Sequence, residues 1–290
     1  MSQPRISVIM PVWNGDRFVA EAVDSILAQS FTDWELIVVD GGSTDRTMEI
    51  LARYKDPRVR IFQTPNAGTG SGLVAGRNLA IAESRASWIA CQDADDISLP
   101  RRLEIQWHAL NRTPDAVLSY TDVEFIGDQT GNPGHAWMPR TRALLALKLC
   151  CQFPVVHSTT MFKKDSVLAA GGYEGLYAED YRLLGKLVEL GRPVAVPQKL
   201  LKFRLHAVSA SKRFKQGMID TAQQLRLDHC QRFMQLPDEK ARRARAILNQ
   251  EPGIRRSDWW WFVRHCAPQL RWKSAEMFAW VAWQSLKRIV

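Results

Sequence analysis

WIACQDADD, residues 88–96, joins a short apolar run to three carboxylates that fall within four residues. An apolar run of this length without polar alternation is typical of a buried parallel strand. Carboxylates this close repel one another unless a cation or hydrogen-bond donors neutralise them. The stretch therefore predicts a buried strand that ends at a cation site. The alternative is a solvated acidic turn before the next helix.

Two more apolar runs upstream also end in polar residues. Ile6–Val12 is followed by Trp13 and Asn14, and Leu36–Val39 is followed by Asp40 and the string GGSTD. Segments with helical periodicity separate these runs. In an open parallel sheet, ligands bind beyond the carboxyl ends of the strands. The spacing therefore predicts that an aromatic side chain and several carboxylates share one edge of the sheet.

The alternation of strands and helices predicts an α/β fold. The predicted strands are Ile6–Val12, Leu36–Val39, Val59–Gln63, Trp88–Gln92, Ala116–Phe125 and Leu200–Leu205. Short connections between them favour a parallel, Rossmann-like sheet covered by helices. This pattern fills residues 1–215. Residues 216–290 form a basic, Trp-rich extension that is predicted to be helical.

The net charge and the cysteines limit the classes of binding partner and the cellular compartment that fit the sequence. The 290 residues have a net charge of +9, which favours anionic partners such as nucleotide phosphates, lipid phosphates, a membrane surface or nucleic acid. The five cysteines are odd in number and form no CxxC pair, which argues against a zinc site or a disulfide framework. We see no signal peptide and no apolar window of ~20 residues, so we expect a cytoplasmic chain.

Six strings of the sequence, in this order and spacing, resemble the family 2 glycosyltransferases, which have the GT-A fold. They are SVIMPVWNG, VVDGGSTD, the GRN at Gly76–Asn78, QDADD followed by Pro100–Leu103, GGYEGLYAEDYRL and FRLHAVSAS. Together they span roughly residues 5–211. The resemblance therefore implies a mixed, mainly parallel sheet flanked by helices. It implies that residues 1–215 are a nucleotide-sugar-binding catalytic domain. It also implies an inverting, metal-dependent transfer of a sugar to a hydroxyl acceptor, in the synthesis of a cell-surface polysaccharide or glycolipid.

The resemblance implies a role for each matching position. Asp180 would be the general base for the acceptor hydroxyl, a function that typically contributes ~10²–10⁴-fold to the rate. Asp95 and Asp93 would bind Mg²⁺ or Mn²⁺ at the diphosphate. The implied nucleotide-sugar contacts are Pro11, Trp13, Asn14, Asp40, Arg77, Asp93, Arg204 and His206. Glu179 is expected to point away from Asp180. His157 is a further candidate, with a structural histidine as the alternative.

One departure from the family pattern leaves the nucleotide base open. Many members have two acids at the end of the second strand, whereas Gly41 follows Asp40 in this chain. A UDP, GDP or dTDP donor is therefore compatible with the sequence.

The C-terminal stretch combines tryptophan with Lys and Arg. The tryptophans are Trp259, Trp260, Trp261, Trp272, Trp280 and Trp283. Amphipathic rings beside cations suit the membrane interface, which favours peripheral attachment at the cytoplasmic face and a lipid-linked or other saccharide acceptor. The alternative is that these rings pack on the catalytic domain or on a second subunit.

Two other functions fit the general pattern less well. A nucleotidyltransferase would normally have a Gly-rich, Lys- or Arg-bearing loop after the first strand, where this chain has WNGD, residues 13–16. A non-catalytic membrane- or nucleic-acid-binding protein on the same scaffold does not explain the full set of acids. We find no helix-turn-helix or RNA-binding signature, so we expect no nucleic-acid partner.

Overall fold

The computed structural model describes residues 3–64, 70–127, 138–206, 214–270 and 273–286. Within these ranges, the strands are β1 Ile6–Val12, β2 Trp34–Asp40, β3 Val59–Gln63, β4 Trp88–Cys91, β5 Ile97–Ser98, β6 Ala116–Gly127, β7 Met161–Lys163 and β8 Arg192–Leu205. The helices are α1 Val19–Leu27, α2 Thr47–Leu51, α3 Gly70–Glu83, α4 Arg102–Asn111, α5 Arg142–Leu149, α6 Lys164–Ala169, α7 Glu179–Leu190, α8 Lys215–Met234, α9 Asp238–Leu248, α10 Arg256–His265 and α11 Ala275–Leu286.

The described strands form one mixed sheet in the order β3-β2-β1-β4-β7-β6-β8-β5. The β1–β2, β1–β4, β2–β3 and β6–β8 pairs are parallel, whereas β7 runs antiparallel to β4 and β6, and β5 runs antiparallel to β8. The predicted mixed, mainly parallel sheet flanked by helices is thus confirmed. The prediction missed β5 and β7, because strands of two and three residues carry no readable periodicity.

The register of the parallel strands brings their polar loops to one edge. Ile6 of β1 lies opposite both Trp34 of β2 and Trp88 of β4. At the other end of the pair, Val12 lies opposite Asp40. All residues of β1 and β2 are buried, and α1 covers them with a fully buried apolar face. Burial of each such aliphatic side chain contributes roughly 1.5–3 kcal/mol, so the register is strongly fixed.

A fully buried arginine anchors α4 to the loop that follows β4. Arg102 donates to Gln106 Oε1 at 3.1 Å, to Gln92 Oε1 at 3.1 Å, to Ser98 Oγ at 2.8 Å and to the Cys91 carbonyl at 2.7 Å. Burial lowers the pKa of its guanidinium to about 10. These bonds hold both ends of the segment that carries the three acids.

The chain divides into two compact units. The first unit comprises Met1–Ala136 and Val155–Lys215, and the second comprises Trp137–Pro154 and Gln216–Val290. In the second unit, Arg140 N donates to Glu276 at 3.0 Å, and His229 Nδ1 donates to the Leu149 carbonyl at 3.1 Å. Helix α5 therefore belongs with the C-terminal helices, although the sequence pattern had assigned residues 1–215 to one domain.

In the ranges given above, no helix combines the length and the apolar character that crossing a membrane requires.

We predict that Arg102→Met lowers the free energy of unfolding by about 2–4 kcal/mol, because it leaves buried acceptors without a donor. Urea denaturation at neutral pH measures the loss. Arg101→Met is the matched control, since the Arg101 side chain is 67% exposed and we expect a change within about 0.5 kcal/mol. Equal effects of the two substitutions would contradict the anchoring role.

Candidate functional site

Backbone-to-side-chain hydrogen bonds join the loop after β1 to the loop after β2. Asn14 adopts a left-handed backbone conformation with φ 49°, and its Oδ1 accepts from Thr44 N at 2.8 Å. Gly15 N donates to Thr47 Oγ1 at 2.8 Å. Asn14 thus orders the two loops, whereas Trp13 beside it is partly exposed. Pro11 is buried within β1.

Asp40 is fully buried and organises its own loop. Its carboxylate accepts from Gly42 N at 3.1 Å, from Ser43 N at 3.2 Å and from Ser43 Oγ at 2.5 Å. Gly42 has φ 80°, a conformation that strongly favours glycine. Both oxygens of Asp40 are therefore engaged by the turn. The implied contact to the nucleoside stays a prediction.

The three acids after β4 have three different sets of partners. Asp93 Oδ1 lies 3.6 Å from the Arg77 guanidinium, and Asp95 Oδ2 accepts from His206 Nε2 at 2.8 Å. Asp96 is fully buried, and it accepts from Ser158 Oγ and from the backbone N of Arg204. The loop is therefore not a solvated acidic turn.

Burial raises the pKa values of two of these acids. For Asp93 the pKa is about 6, because burial and the negative charges of Asp95 and Glu179 outweigh the attraction of Arg77. For Asp96 the pKa lies well above the ordinary value, chiefly through burial and then through Asp95 and Asp93. A cation beside Asp93 and Asp95 would relieve this repulsion.

Arg77 connects the acid loop to the start of α7. Its buried guanidinium forms an ion pair with Glu179 as well as with Asp93, and it lies over the Tyr173 ring at 5.4 Å. Burial disfavours the charged form of Arg77 and by itself would lower its pKa. Glu179 and then Asp93 outweigh that effect, so the pKa of the guanidinium lies above its ordinary value. The structure thus brings Arg77, Asp93 and the acids of α7 together.

Asp180 begins α7 next to this ion pair. Its pKa is raised to about 7, first by burial and then by Glu179, with Arg77 acting in the opposite direction. Ala178 has φ 51°, a left-handed conformation that is costly for a residue with a Cβ. This sharp entry makes Glu179 and Asp180 the first two residues of the helix.

Glu179, which the sequence led us to expect would point away from Asp180, nevertheless takes part in the candidate site. Its side chain reaches Arg77, whose charge also acts on Asp180. Successive helical residues differ in direction by about 100°, yet the long glutamate side chain spans the gap. Glu179 is thus a site residue that the sequence pattern missed.

Two residues at the end of β8 hold the acid loop from the other side. Arg204 Nε donates to the Asp95 carbonyl at 2.9 Å, and its Nη2 donates to Glu21 at 2.8 Å. The Phe18 ring lies 4.5 Å from the Arg204 guanidinium and 5.1 Å from the His206 ring. These contacts bring Arg204 and His206 to the acid loop. The contact with the nucleotide-sugar that the resemblance implies for them stays a prediction. Residues 207–211 of the string FRLHAVSAS lie outside the described residues.

His157 lies behind the site and supports Tyr173. A hydrogen bond of 2.7 Å joins His157 Nε2 to the Tyr173 hydroxyl, and burial together with Arg77 lowers the pKa of His157 well below its usual value. Asn78 donates to the Tyr173 carbonyl and accepts from the Tyr173 amide. His157 is therefore a neutral structural residue. The strings GRN and GGYEG meet here, a signal that could have identified Tyr173 and Asn78.

The donor set suits a cation that shares its ligands with a phosphate. In the described ranges, no group of three or more His, Cys, Asp or Glu side chains is arranged to hold a metal ion. Mg²⁺ and similar cations often take only one or two carboxylates and complete their shell with substrate phosphates. Asp93 and Asp95, both partly exposed, match that requirement. Arg77 Nε and His206 Nδ1 are buried nitrogens without a hydrogen-bond partner among the described residues, and both belong to side chains that contact these acids.

Comparison with known proteins identifies relatives that match more than half of the chain. The model of the family described as glycosyl transferase family 2 matches residues 7–170. The O-antigen biosynthesis glycosyltransferase WbnJ of Escherichia coli is 33% identical over 221 residues, which cover 71% of this chain and 82% of WbnJ.

Solved structures give the same fold. S. aureus TarS 1–349 in complex with UDP-GlcNAc has a TM-score of 0.64 at 16% identity, and the match covers 85% of this chain and 71% of that chain. The mannosyltransferase PcManGT from Pyrobaculum calidifontis, in complex with GDP-Man and Mn²⁺, has a TM-score of 0.60 at 15% identity, with 100% and 82% covered. At these identities the likeness concerns the fold alone, and it confirms the predicted GT-A architecture.

We predict that Asp180→Asn raises the melting temperature by a few degrees at about pH 8 and has little effect at about pH 4. The native state holds the Asp180 proton more tightly than the unfolded chain does, so this carboxyl costs stability as pH rises from about 3.8 to about 7. Thermal unfolding at both pH values measures the difference. The exposed Asp165→Asn serves as the control, and a lower melting temperature for Asp180→Asn at the higher pH would contradict the assignment.

Proposed function

The chain belongs to glycosyl transferase family 2, and on that premise we propose that it moves a sugar from a nucleoside diphosphate to a hydroxyl acceptor, with inversion at the anomeric carbon. The observation that carries the proposal is the contact of Arg77 with both Asp93 and Glu179, which brings the acid loop beside Asp180. A leaving-group site and a base are what such a displacement needs. The name of WbnJ, an O-antigen biosynthesis enzyme, supports a role in surface polysaccharide or glycolipid synthesis.

The donor in this proposal is a UDP-, GDP- or dTDP-sugar. The TarS complex contains UDP-GlcNAc and the PcManGT complex contains GDP-Man, so both nucleotide classes are accommodated on this fold. In this chain the joined loops after β1 and β2 would receive the nucleoside, with Trp13 beside the base and Asp40 shaping the turn. Pro11 and Asn14 would support these loops.

A divalent cation, Mg²⁺ or Mn²⁺, belongs to this proposal. Asp93 and Asp95 would hold it, and it would neutralise the charge that develops on the diphosphate leaving group. The presence of Mn²⁺ in the PcManGT complex supports this choice. Arg77, Arg204 and His206 would add positive charge or hydrogen-bond donors around the phosphates.

Asp180 acts as the general base in the proposed reaction. Its carboxylate takes the proton of the acceptor hydroxyl while that oxygen bonds to the anomeric carbon and the bond from this carbon to the diphosphate oxygen breaks. A base is most effective when its pKa lies near the working pH. The pKa of Asp180, raised to about 7 by burial and by Glu179, meets this condition.

The proposed acceptor is a saccharide or a lipid-linked saccharide at the cytoplasmic face of the membrane. Residues 1–215 would form the catalytic part, and residues 216–290 would provide peripheral membrane contact. No nucleic acid takes part.

We predict that Asp95→Ala and Asp180→Asn each reduce sugar transfer by at least about 10²-fold. Asp95→Ala removes a ligand of the proposed cation, whereas Asp180→Asn removes the proposed base. Thermal-shift assays with UDP, GDP and dTDP, with and without Mn²⁺, separate the two. Asp180→Asn should keep the metal-dependent shift given by one nucleotide, whereas Asp95→Ala should lose it.

The control is Asp165→Asn, which changes an exposed acid and should leave transfer intact. Full activity in both the Asp95 and the Asp180 variants would contradict the proposed mechanism. Release of pyrophosphate from a nucleoside triphosphate would instead favour a nucleotidyltransferase.

We also predict opposite shifts of the pH–rate profile in two variants. Glu179→Gln removes a negative neighbour of Asp180, so the acidic limb of kcat/KM should move to lower pH by about one unit. Arg77→Gln removes the positive neighbour, so the same limb should move to higher pH. Initial rates between about pH 5 and pH 9 measure both shifts.

Glu174→Gln is the control for this experiment, because Glu174 pairs with Lys186 in the same segment. Shifts in the same direction for the Glu179 and Arg77 variants would exclude Asp180 as the titrating base.

A further inference from the structure

The net charge of the protein resides entirely in the second unit. Residues 1–136 and 155–215 contain 23 Lys and Arg against 23 Asp and Glu. Residues 137–154 and 216–290 contain 16 Lys and Arg against 7 Asp and Glu, which accounts for the whole charge of +9. A positive field of this kind attracts an anionic surface. The unit is therefore electrostatically distinct from the unit that carries the acids of the site.

Local ion pairs leave this excess of cations unbalanced. Asp238 pairs with Arg242, and Asp258 pairs with Arg243. Glu251 likewise pairs with an arginine of α9. These three acids neutralise cations within the unit, and the count of charges in the unit still leaves an excess of nine cations.

Helix α10 presents a large aromatic side chain to solvent beside a cation. Trp260 is 74% exposed, and Val263 and Arg264, three and four residues further on, are also exposed. These spacings put the three side chains on one face of the helix. The opposite face is buried through Trp259 and Phe262. The outward face combines a ring, an aliphatic group and a charge.

Helix α11 also presents aromatic side chains to solvent, but without a cation between them. Phe278 is 46% exposed and Trp283 is 38% exposed, whereas Trp280 and Met277 are buried. Alanines at 279 and 282 complete the exposed face, which carries no charged residue between Phe278 and Trp283. The tryptophans of the C-terminal stretch thus fall into a buried group and an exposed group. Trp259 and Trp280 belong to the core of the unit, and Trp260 and Trp283 lie at its surface. Trp272 lies outside the described residues.

We propose that the exposed faces of α10 and α11 dock the second unit on a bilayer rich in anionic phospholipid. Aromatic rings enter the interface while arginine meets the headgroup phosphates, and either contribution alone gives weak binding. Aliphatic Val263 and the alanines of α11 favour lipid over nucleic acid, which rewards stacking rings in a polar groove. The inference rests on the proposed function for its purpose, because it brings the enzyme to a lipid-linked acceptor.

The test is sedimentation of the full chain with vesicles of phosphatidylcholine alone, or with about a third phosphatidylglycerol, at about 0.1 M salt. We expect binding to the anionic vesicles only. The double substitution Trp260→Ser with Phe278→Ser should weaken that binding at least about tenfold. Arg264→Gln should weaken it severalfold and should reduce its dependence on salt.

The matched control is Leu168→Ser, which changes an apolar residue that is 55% exposed in the neutral first unit and should leave binding unchanged. The inference is overturned if anionic vesicles fail to bind the protein, or if the double variant binds as well as the unchanged chain. A dimer that the double variant converts to a monomer, or tighter binding to an oligonucleotide than to vesicles, also overturns it.

Nucleotide binding separates this inference from the proposed function. The double variant should retain the thermal shift given by the nucleoside diphosphate with Mn²⁺. If the unchanged chain shows the nucleotide shift but fails to bind anionic vesicles, membrane docking alone is contradicted. Vesicle binding without any nucleotide shift would count against the transferase alone.

Discussion

The candidate site depends on one buried cation, Arg77. Its guanidinium touches Asp93 from the loop after β4 and Glu179 from the start of α7. A buried charge is tolerated only when opposite charges and hydrogen bonds compensate for lost hydration. Because two acids from distant segments share one arginine, neither segment can move without leaving a charge unpaired. Arg77 therefore fixes the distance between the acid loop and the start of α7.

The packing behind Arg77 explains why its position is so restricted. Tyr173 lies under the guanidinium, and the backbone of Tyr173 is held by both polar atoms of the Asn78 side chain. His157 holds the Tyr173 hydroxyl. Asn78 follows Arg77 by one residue, so α3 contributes both the charge and the support for the ring beneath it. Tyr173 and His157, on this side of Arg77, are buried and neutral. The opposite charges that pair with the guanidinium are therefore the acids on its other side.

The sequence was sufficient to predict the strands that are long and apolar. The predicted strand Ile6–Val12 coincides with β1, because a continuous, fully buried apolar run of this length is typical of a central parallel strand. The predicted strand Val59–Gln63 also coincides with β3, although it contains polar residues and is only partly buried. The sequence alone could not predict the pairing of Arg77 with Glu179, because the two residues are 102 positions apart and their contact depends on how α3 and α7 pack. The association of α5 with the C-terminal helices likewise depends on contacts such as that of His229 with Leu149, 80 positions apart.

The candidate site and attraction to an anionic surface need opposite distributions of charge, and the two units differ in charge accordingly. Transfer to a hydroxyl needs a carboxyl whose pKa is raised, and Asp180 keeps that pKa only while burial and Glu179 outweigh Arg77. An excess of cations close to the site would lower the pKa of Asp180 and would compete with a metal for Asp93 and Asp95. Attraction to an anionic surface needs such an excess. A first unit with equal numbers of cations and acids meets the first requirement, and a second unit that holds the entire +9 meets the second.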